Sequence, residues 1–300
     1  MAATNGERYA DLQLHSSASD GSDAPSEVVR RAARKGFSAI ALTDHDTMQG
    51  VPEAAAEAAA LGMELIPGCE LSTLDDNERQ IDILAYGIRV DDIEFQSTLN
   101  TIRSGRLGRA YLMVQRLNEL GHAVSWARVQ AIAGGENIGR PHVARAMVEA
   151  GVVPTLKAAF TEEFIRDDGR CYVQRVKISP TEAIEQIHRA GGVAVAAHPA
   201  RTGLSDVEVA FLVGAGLDGV EAHYPQHSRA ETNRFLELAG RYDLLVTGGS
   251  DDHGDVNEGR LMGRVRLPWA FVERLKEAIE QRGGRKQEAG GRDGQPSNGI

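Results

Sequence analysis

The chain has 300 residues, 42% of them hydrophobic, which is enough to bury the core of one large α/β domain or of two smaller ones. The net charge of −10 argues against binding long duplex nucleic acid through a generally basic surface. Two cysteines are too few for a disulfide framework, and the N-terminal residues lack the apolar core of a signal peptide. No apolar run is long enough to cross a membrane, so we expect a cytoplasmic protein with no membrane partner.

Predicted strands and helices alternate over the first 90 residues. Apolar runs at 9–14, 37–42, 63–67 and 81–88 predict strands, and the segments 25–36 and 51–61 predict helices. From about 92 to 175 only helical patterns are found, near 103–120, 125–133, 141–150 and 154–165. We therefore predict an all-helical insertion within an α/β domain.

The alternation resumes at Ser179-Pro180-Thr181-Glu182, a capping box with proline at the first helical position. Strands are predicted at 193–197, 219–223 and 244–247, and a last helix at 269–281. The predicted domains are 7–92 and 176–282 for the barrel, 93–175 for the insertion, and 283–300 for a disordered tail. Six or seven β-then-α units with polar residues after each strand indicate a parallel barrel with its chemistry at the C-terminal rim.

Potential metal ligands lie at six of the predicted strand ends. A single histidine in such a place is more often structural, but chance placement at every rim position is improbable. Carboxylates and imidazoles without thiolates indicate Mn²⁺, Zn²⁺ or Fe rather than a structural zinc site. The candidate ligands are Gln13, His15, Asp20, His45, Glu70, Asp82, His198, Asp251 and His253.

Six short motifs together resemble the PHP (polymerase and histidinol phosphatase) family of phosphoesterases over about residues 9–260. They are DLQLH at 11–15, SDG at 19–21, LTDHD at 42–46, PGCE at 67–70, AHP at 197–199 and GSDDH at 249–253. The insertion motif GRPHVAR at 139–145 resembles the branch that acts on nucleoside monophosphates, 3′,5′-bisphosphate nucleotides and short 5′-phosphorylated RNA.

The resemblance implies a distorted (β/α)₇ barrel that holds up to three metal ions, Mn²⁺ first, with Fe, Zn²⁺ or Mg²⁺ as alternatives. Its implied ligand sets are Gln13, His15, Glu70 and Asp251 for the first ion; Glu70, Asp82 and His198 for the second; and Asp20, His45 and His253 for the third. The activity implied is phosphate ester hydrolysis by a metal-activated water. The substrate would be AMP, a 3′,5′-bisphosphate nucleotide or a short 5′-phosphorylated oligoribonucleotide.

Two positions depart from the family pattern. Gln13 and Asp82 stand where the family has histidines. A neutral amide oxygen is a weak ligand, so the first ion would be held loosely, whereas the harder Asp82 would favour Mn²⁺ or Mg²⁺ over Zn²⁺.

Further candidates surround the predicted ligands. Asp44 and Asp46 flank His45 and are expected to orient its imidazole by hydrogen bonds. His227 lies on a predicted rim loop and could touch substrate. Candidates for binding phosphate are Arg201, Arg140, His142 and Arg170.

Two other function classes remain open from the sequence. Gln13 also fits a degenerate PHP module whose metal is structural or regulatory and which turns nothing over. Amidohydrolases use similar metal-bearing barrels, so C–N hydrolysis is the other alternative. The oligomeric state is not predicted.

Overall fold

The structure, a computed structural model, describes residues 7–134, 138–173, 178–256 and 260–292. Its strands form one nearly closed eight-stranded sheet in the order β7-β6-β5-β4-β3-β2-β1-β8. They are β1 (Tyr9–Leu14), β2 (Ala39–Leu42), β3 (Glu64–Leu71), β4 (Ile83–Tyr86), β5 (Val193–Ala196), β6 (Gly219–His223), β7 (Leu245–Gly248) and β8 (Leu267–Pro268). The segment after β7 returns to β1, where the backbone amide of Asp251 donates to the backbone carbonyl of Gln13 at 2.9 Å. The predicted barrel is thereby confirmed.

Strand β4 runs against its neighbours. Its register is antiparallel to both β3 and β5, with Leu71 opposite Ile83 and Ile83 opposite Ala196. The connection over residues 72–82 holds no helix, and a parallel return would need such a crossover. The expectation of an all-parallel sheet is therefore wrong at β4, and also at β8, which is antiparallel to β1. Because of the reversal, Asp82 at the start of β4 lies at the rim where the parallel strands end.

Helices cover the barrel strands, and they begin and end near the residues that the sequence signals predict. These helices are α1 (Pro25–Arg34), α2 (Val51–Leu61), α7 (Pro180–Arg189), α8 (Asp206–Gly214), α9 (Arg229–Tyr242) and α10 (Trp269–Arg292). The predicted capping box of α7 is confirmed, since the Ser179 hydroxyl accepts from the Glu182 amide and the Glu182 carboxylate accepts from the Ser179 amide. Val28 and Ala32 of α1 pack with Ala54 of α2 and Leu42 of β2 in one buried cluster.

The described residues fall into two compact units, and the division lies within helix α3 (Ile93–Glu119). One unit comprises the residues up to Thr98 and from Ile178 onward, and it carries the barrel. The other begins at Leu99 and contains α4 (Trp126–Ala133), α5 (Arg140–Glu149) and α6 (Leu156–Ala159). The second unit has its own buried apolar cluster, which includes Met113, Leu117 and Val143. That 93–175 forms an insertion domain stays a prediction.

Helix α10 continues past the predicted start of a disordered tail. It runs to Arg292 and includes Gly283, Gly284, Gly290 and Gly291, each of which disfavours a helix by about 1 kcal/mol relative to alanine. The flanking Arg, Lys, Gln, Glu and Ala residues are good helix formers. That residues 283–300 form a disordered tail stays a prediction, and residues 293–300 lie outside the described part. No helix among the described residues is long and apolar enough to cross a membrane.

Candidate metal centre

The barrel rim gathers the histidines and carboxylates proposed from the sequence into three groups. Within each group, one nitrogen or oxygen from every member lies within 4.8 Å of those from the others. The groups are His15, Glu70 and Asp251; Glu70, Asp82 and His198; and His15, Asp20, His45 and His253. They resemble the three ligand sets implied by the family resemblance, except that His15 also reaches the third group.

Local backbone pairing brings the donors together. The Thr43 amide donates to the Leu14 carbonyl at 2.9 Å, which aligns the end of β1 with the end of β2. The Asp46 amide donates to the Glu70 carbonyl at 2.9 Å, so the segment after β2 continues alongside β3. Since β3 extends to Leu71, four residues beyond its predicted end, Glu70 lies within a strand and is fully buried. A strand interior gives its carboxylate a fixed direction.

Glu70 is the central carboxylate of the rim. Its Oε2 lies 3.1 Å from His15 Nε2 and accepts from Gln13 Nε2 at 3.1 Å. Its Oε1 lies 3.0 Å from His198 Nε2. Glu70 therefore connects the first two groups, and one carboxylate can serve two cations through its two oxygens.

The third group is more open than the others. Asp20 Oδ1 lies 3.3 Å from His253 Nε2, and Asp20 Oδ2 lies 3.9 Å from His45 Nε2. The rings of His15 and His253 stack at 4.0 Å between centroids. The Asp20 side chain is 40% exposed, so this group is accessible to solvent.

Three rim residues adopt the left-handed backbone region, which disfavours L-residues by about 1–2 kcal/mol each. They are Asp46 (φ 53°), His198 (φ 29°) and Asp251 (φ 53°). Neighbouring contacts hold them there. For example, the buried Glu221 carboxylate accepts from the His198 amide at 2.9 Å.

Burial and charged neighbours shift the pKa values of several rim residues. Burial raises the pKa of Asp251, but hydrogen bonding to His15 and the charges of His15 and His253 outweigh it, so the pKa falls to about 2. Burial lowers the pKa of His198, but its contact with Glu70 and the charges of Glu70 and Asp82 raise it to about 9. Burial raises the pKa of Asp82, and the charge of Glu70 adds to the rise. With its pKa raised in this way, His198 carries a proton that a cation would replace.

The proton on His198 makes cation binding depend on pH. A metal ligates the neutral imidazole, and with a pKa of about 9 this ring is protonated at neutral pH. We expect divalent-cation affinity to fall by up to about tenfold per pH unit from pH 9 downward, with protons released on binding. Calorimetric titration at pH 6.5 and 8.5, in two buffers of different ionisation enthalpy, measures both effects. Affinity that is the same at both pH values, without proton release, would contradict the expectation.

The donor sets fit divalent cations. Two ligands on opposite sides of an ion at about 2.1–2.3 Å are separated by roughly 4.5 Å, and the donor atoms within each group all lie within 4.8 Å of one another. The donors are carboxylates and imidazoles, with no thiolate among them. Gln13 Oε1 is buried and has no hydrogen-bond partner among the described residues, while the Nε2 of the same amide is bonded to Glu70. A buried carbonyl oxygen left without a donor is well suited to accept a cation.

Asp82, the other departure from the family pattern, has a polar neighbour. The amide Nε2 of Gln80 donates to both Asp82 oxygens, at 3.0 and 2.7 Å. Gln80 is exposed whereas Asp82 is buried. The amide thus lies over the outer side of the carboxylate and limits how it can rotate.

Asp44 and Asp46 make hydrogen bonds to the loops of the rim. Asp44 accepts from the Ser16 amide and hydroxyl and from the Ser19 hydroxyl, each at 2.7 Å, so it fixes the loop that carries Asp20. Asp46 accepts from the Ser72 amide at 2.8 Å. Their predicted role in orienting His45 stays a prediction.

Tyr224 is a rim residue that the sequence reasoning missed. Its hydroxyl donates to Asp251 Oδ2 at 2.8 Å, and Arg201 Nη1 donates to the same oxygen at 3.4 Å. The Arg201 side chain is 55% exposed and close to the candidate ligands. His227 turns its Nδ1 toward the Ala222 carbonyl at 3.1 Å and lies beside Tyr224. The position of Tyr224 directly after β6 is the signal that could have identified it.

The remaining candidates for phosphate binding belong to the second unit. Arg140 Nη1 lies 2.5 Å from Asp167 Oδ1, and Arg109 Nη2 lies 3.9 Å from the same oxygen. His142 Nδ1 accepts from the Gly139 amide at 3.0 Å, which caps α5. The Arg170 amide donates to the Glu162 carbonyl at 2.8 Å. That Arg140, His142 and Arg170 bind phosphate stays a prediction.

A barrel with carboxylates and imidazoles gathered at one rim is the architecture of a metal-dependent hydrolase. The sequence signature of the PHP domain matches residues 11–133. A 3′,5′-nucleoside bisphosphate phosphatase of Chromobacterium violaceum is 34% identical over 260 residues, which cover 85% of this chain and 90% of the relative. The chain belongs to the PHP family of metal-dependent phosphoesterases, and it is a hydrolase acting on ester bonds.

Other relatives extend the comparison. A phosphoribosyl 1,2-cyclic phosphate 1,2-diphosphodiesterase of Eggerthella lenta is 30% identical over 246 residues, covering 81% of this chain and 94% of the relative. The 5′-3′ exoribonuclease Rnm of Escherichia coli is 32% identical over 287 residues, covering 94% and 97%. A solved metal-dependent phosphoesterase structure from Bifidobacterium adolescentis superposes with a TM-score of 0.79 at 33% identity, covering 90% of this chain and 96% of that one.

Proposed function

We propose that this protein hydrolyses phosphate esters of small nucleotides, namely AMP or 3′,5′-bisphosphate nucleotides, or of short 5′-phosphorylated oligoribonucleotides. The observation that carries the proposal is the convergence of eight histidines and carboxylates at the barrel rim on three groups that can each hold a cation. The named activities of the phosphatase and exoribonuclease relatives support this substrate class. The net charge of −10 fits a small substrate better than a long duplex.

The proposed cofactor is divalent metal, up to three ions, with Mn²⁺ preferred. Gln13, His15, Glu70 and Asp251 would hold one ion, Glu70, Asp82 and His198 a second, and Asp20, His45 and His253 a third. Bound cations supply Lewis acidity to the phosphoryl oxygens and lower the pKa of the attacking water. The preference for Mn²⁺ is supported by Asp82, because a hard carboxylate in place of an imidazole disfavours Zn²⁺.

Residues around the ligands would orient the phosphate. Arg201 carries a permanent charge at the exposed side of Asp251, and its guanidinium can bind two phosphate oxygens at once. The Tyr224 hydroxyl holds Asp251 in place by its hydrogen bond. Arg140, His142 and Arg170 are also proposed to bind substrate phosphate. We place the protein in the cytoplasm, a location that suits two free, buried cysteines.

The proposal is tested by metal analysis together with a phosphatase screen on the same preparation. The substrates are AMP, adenosine 3′,5′-bisphosphate and a 5′-phosphorylated tetraribonucleotide. We expect phosphate release that stops with chelator and returns with Mn²⁺. A fully metallated protein that leaves all three untouched would overturn the proposal. One tightly held ion without turnover would instead indicate a degenerate module.

Replacement of Arg201 should weaken turnover without removing metal. For Arg201→Ala we expect kcat/KM on AMP to fall by about 10- to 100-fold, the loss of one charge-assisted hydrogen bond of roughly 1.5–3 kcal/mol. Arg234→Ala on α9, which breaks the exposed pair with Asp206, is the matched control. Steady-state kinetics with parallel Mn²⁺ analysis measures the effect. Unchanged kcat/KM, or loss of metal together with rate, would show that Arg201 does not bind the phosphate.

A further inference from the structure

The guanidinium of Arg31 on α1 is almost completely buried beside the rim. Its side chain is 6% exposed and lies between two carboxylates from distant parts of the sequence. Nη2 donates to Asp252 Oδ2 at 2.9 Å, and Nη1 donates to Asp23 Oδ2. A buried charge needs such partners, and this one joins two loops that both carry candidate ligands.

Asp252 lies between two candidate ligands, Asp251 and His253. Its backbone carbonyl accepts from the His15 amide at 3.1 Å, which ties it to a third. In its side chain, Oδ1 accepts from the Met262 amide at 3.0 Å and Oδ2 accepts from Arg31 at 2.9 Å. The position of this carboxylate therefore fixes the segment from Asp251 to His253.

Asp23 fixes the loop that carries Asp20. Its carbonyl accepts from the Ser17 amide at 2.8 Å, which closes the loop of residues 15–24 on itself. The neighbouring Ser22 amide donates to the His253 carbonyl at 3.0 Å. The two loops thus touch through their backbones, and Arg31 joins their side chains.

We infer that Arg31 is a positioning residue, which through Asp23 and Asp252 sets the spacing between Asp20 and His253 in the third group. We name Arg31, Asp23 and Asp252 the Arg31 clamp. This inference rests on the proposed metal centre. The clamp acts on the loops that carry ligands of the first and third groups. In the second group, Asp82 directly precedes β4 and His198 follows β5, so neither lies on a loop that the clamp holds. Loss of the clamp should therefore weaken ion binding at the first and third groups and leave the second group unchanged.

The experiment uses the full chain, stripped of metal and titrated with Mn²⁺. Arg31→Met keeps the length of the side chain and removes the charge, and Arg31→Lys keeps the charge but not the two-armed geometry. Arg30→Met is the matched control. Arg30 directly precedes Arg31 on α1, and its ion pair with Glu57 at 2.9 Å is more exposed than the pairs of Arg31. Calorimetry and elemental analysis count the ions, Mn²⁺ paramagnetic resonance reports on coupling between them, and thermal unfolding monitors the fold.

For Arg31→Met we expect Mn²⁺ affinity at the first and third groups to fall by about 10- to 100-fold, with the second group retained. Arg31→Lys should show a smaller loss of the same kind, and it decides the question if Arg31→Met does not fold. Arg30→Met should bind as the wild type does. Wild-type affinity at every group in a folded Arg31 variant overturns the clamp, and so does an equal loss at all groups. Wild-type protein that binds no Mn²⁺ overturns the proposed metal centre itself, and the clamp with it.

Discussion

Glu70→Gln is expected to remove two of the three proposed ions and to lower the rate of phosphate release by about 10³- to 10⁴-fold. Glu70 lies 3.1 Å from His15 and 3.0 Å from His198, so it is shared by two groups of donors. The amide keeps the shape of the side chain but loses the negative charge, and a neutral amide oxygen is a weaker ligand than a carboxylate oxygen. Since each factor of ten corresponds to about 1.4 kcal/mol, the expected loss is roughly 4–6 kcal/mol of transition-state stabilisation. Metal analysis and single-turnover kinetics on AMP measure both effects.

Glu64→Gln is the matched control for that variant. Glu64 starts the same strand at the opposite end of the barrel, where it pairs with Arg8 and Lys276. The same chemical change there should leave metal content and rate as in the wild type. If Glu70→Gln retained three ions and more than a tenth of the wild-type rate, Glu70 would not be a shared ligand.

Gln13→His is expected to tighten the first ion by about 100-fold, on the order of 3 kcal/mol, and to raise activity at limiting Mn²⁺. Gln13 Oε1 is buried and finds no hydrogen-bond partner in the part of the chain that the structure describes, and an imidazole nitrogen is a stronger ligand than an amide oxygen. The variant keeps the Cβ, which is the part of the side chain packed against Gly249. Calorimetric titration with Mn²⁺ separates this ion from the others by its affinity.

Gln13→Met supplies the opposite change at the same position. The thioether has a similar length but offers neither the amide donor to Glu70 nor an oxygen ligand, so the first ion should bind more weakly than in the wild type. If all three proteins gave the same stoichiometry and rate, Gln13 would not stand at a metal position.

Much of the rim could be predicted because its donors follow strands. In a barrel the ends of parallel strands converge, so His15, His45 and His198 could be placed together from their positions along the chain. Asp82 was included as a candidate, but its place at the rim depends on the reversal of β4. That reversal follows from the short connection over residues 72–82, whose lack of a helix could have been read from its length.

The contacts that hold the rim together could not be predicted in the same way. Arg31 and Asp252 are 221 residues apart, and nothing in either local sequence indicates that the two meet. Tyr224 and Glu221 act on Asp251 and His198 from another strand, so their roles depend on the register between β5, β6 and β7. Strand pattern predicts where a side chain emerges, whereas tertiary packing decides what it touches.

The left-handed backbone at His198 and Asp251 has a consequence for how these positions should be scanned by mutation. Alanine there would remove the donor and also keep an unfavourable conformation, so its effect would combine two losses. Asparagine tolerates positive φ better than most residues, and glycine adopts it without steric conflict, although it adds freedom to the unfolded chain. Asparagine is therefore the substitution that most nearly isolates the loss of a ligand from the loss of stability at both residues.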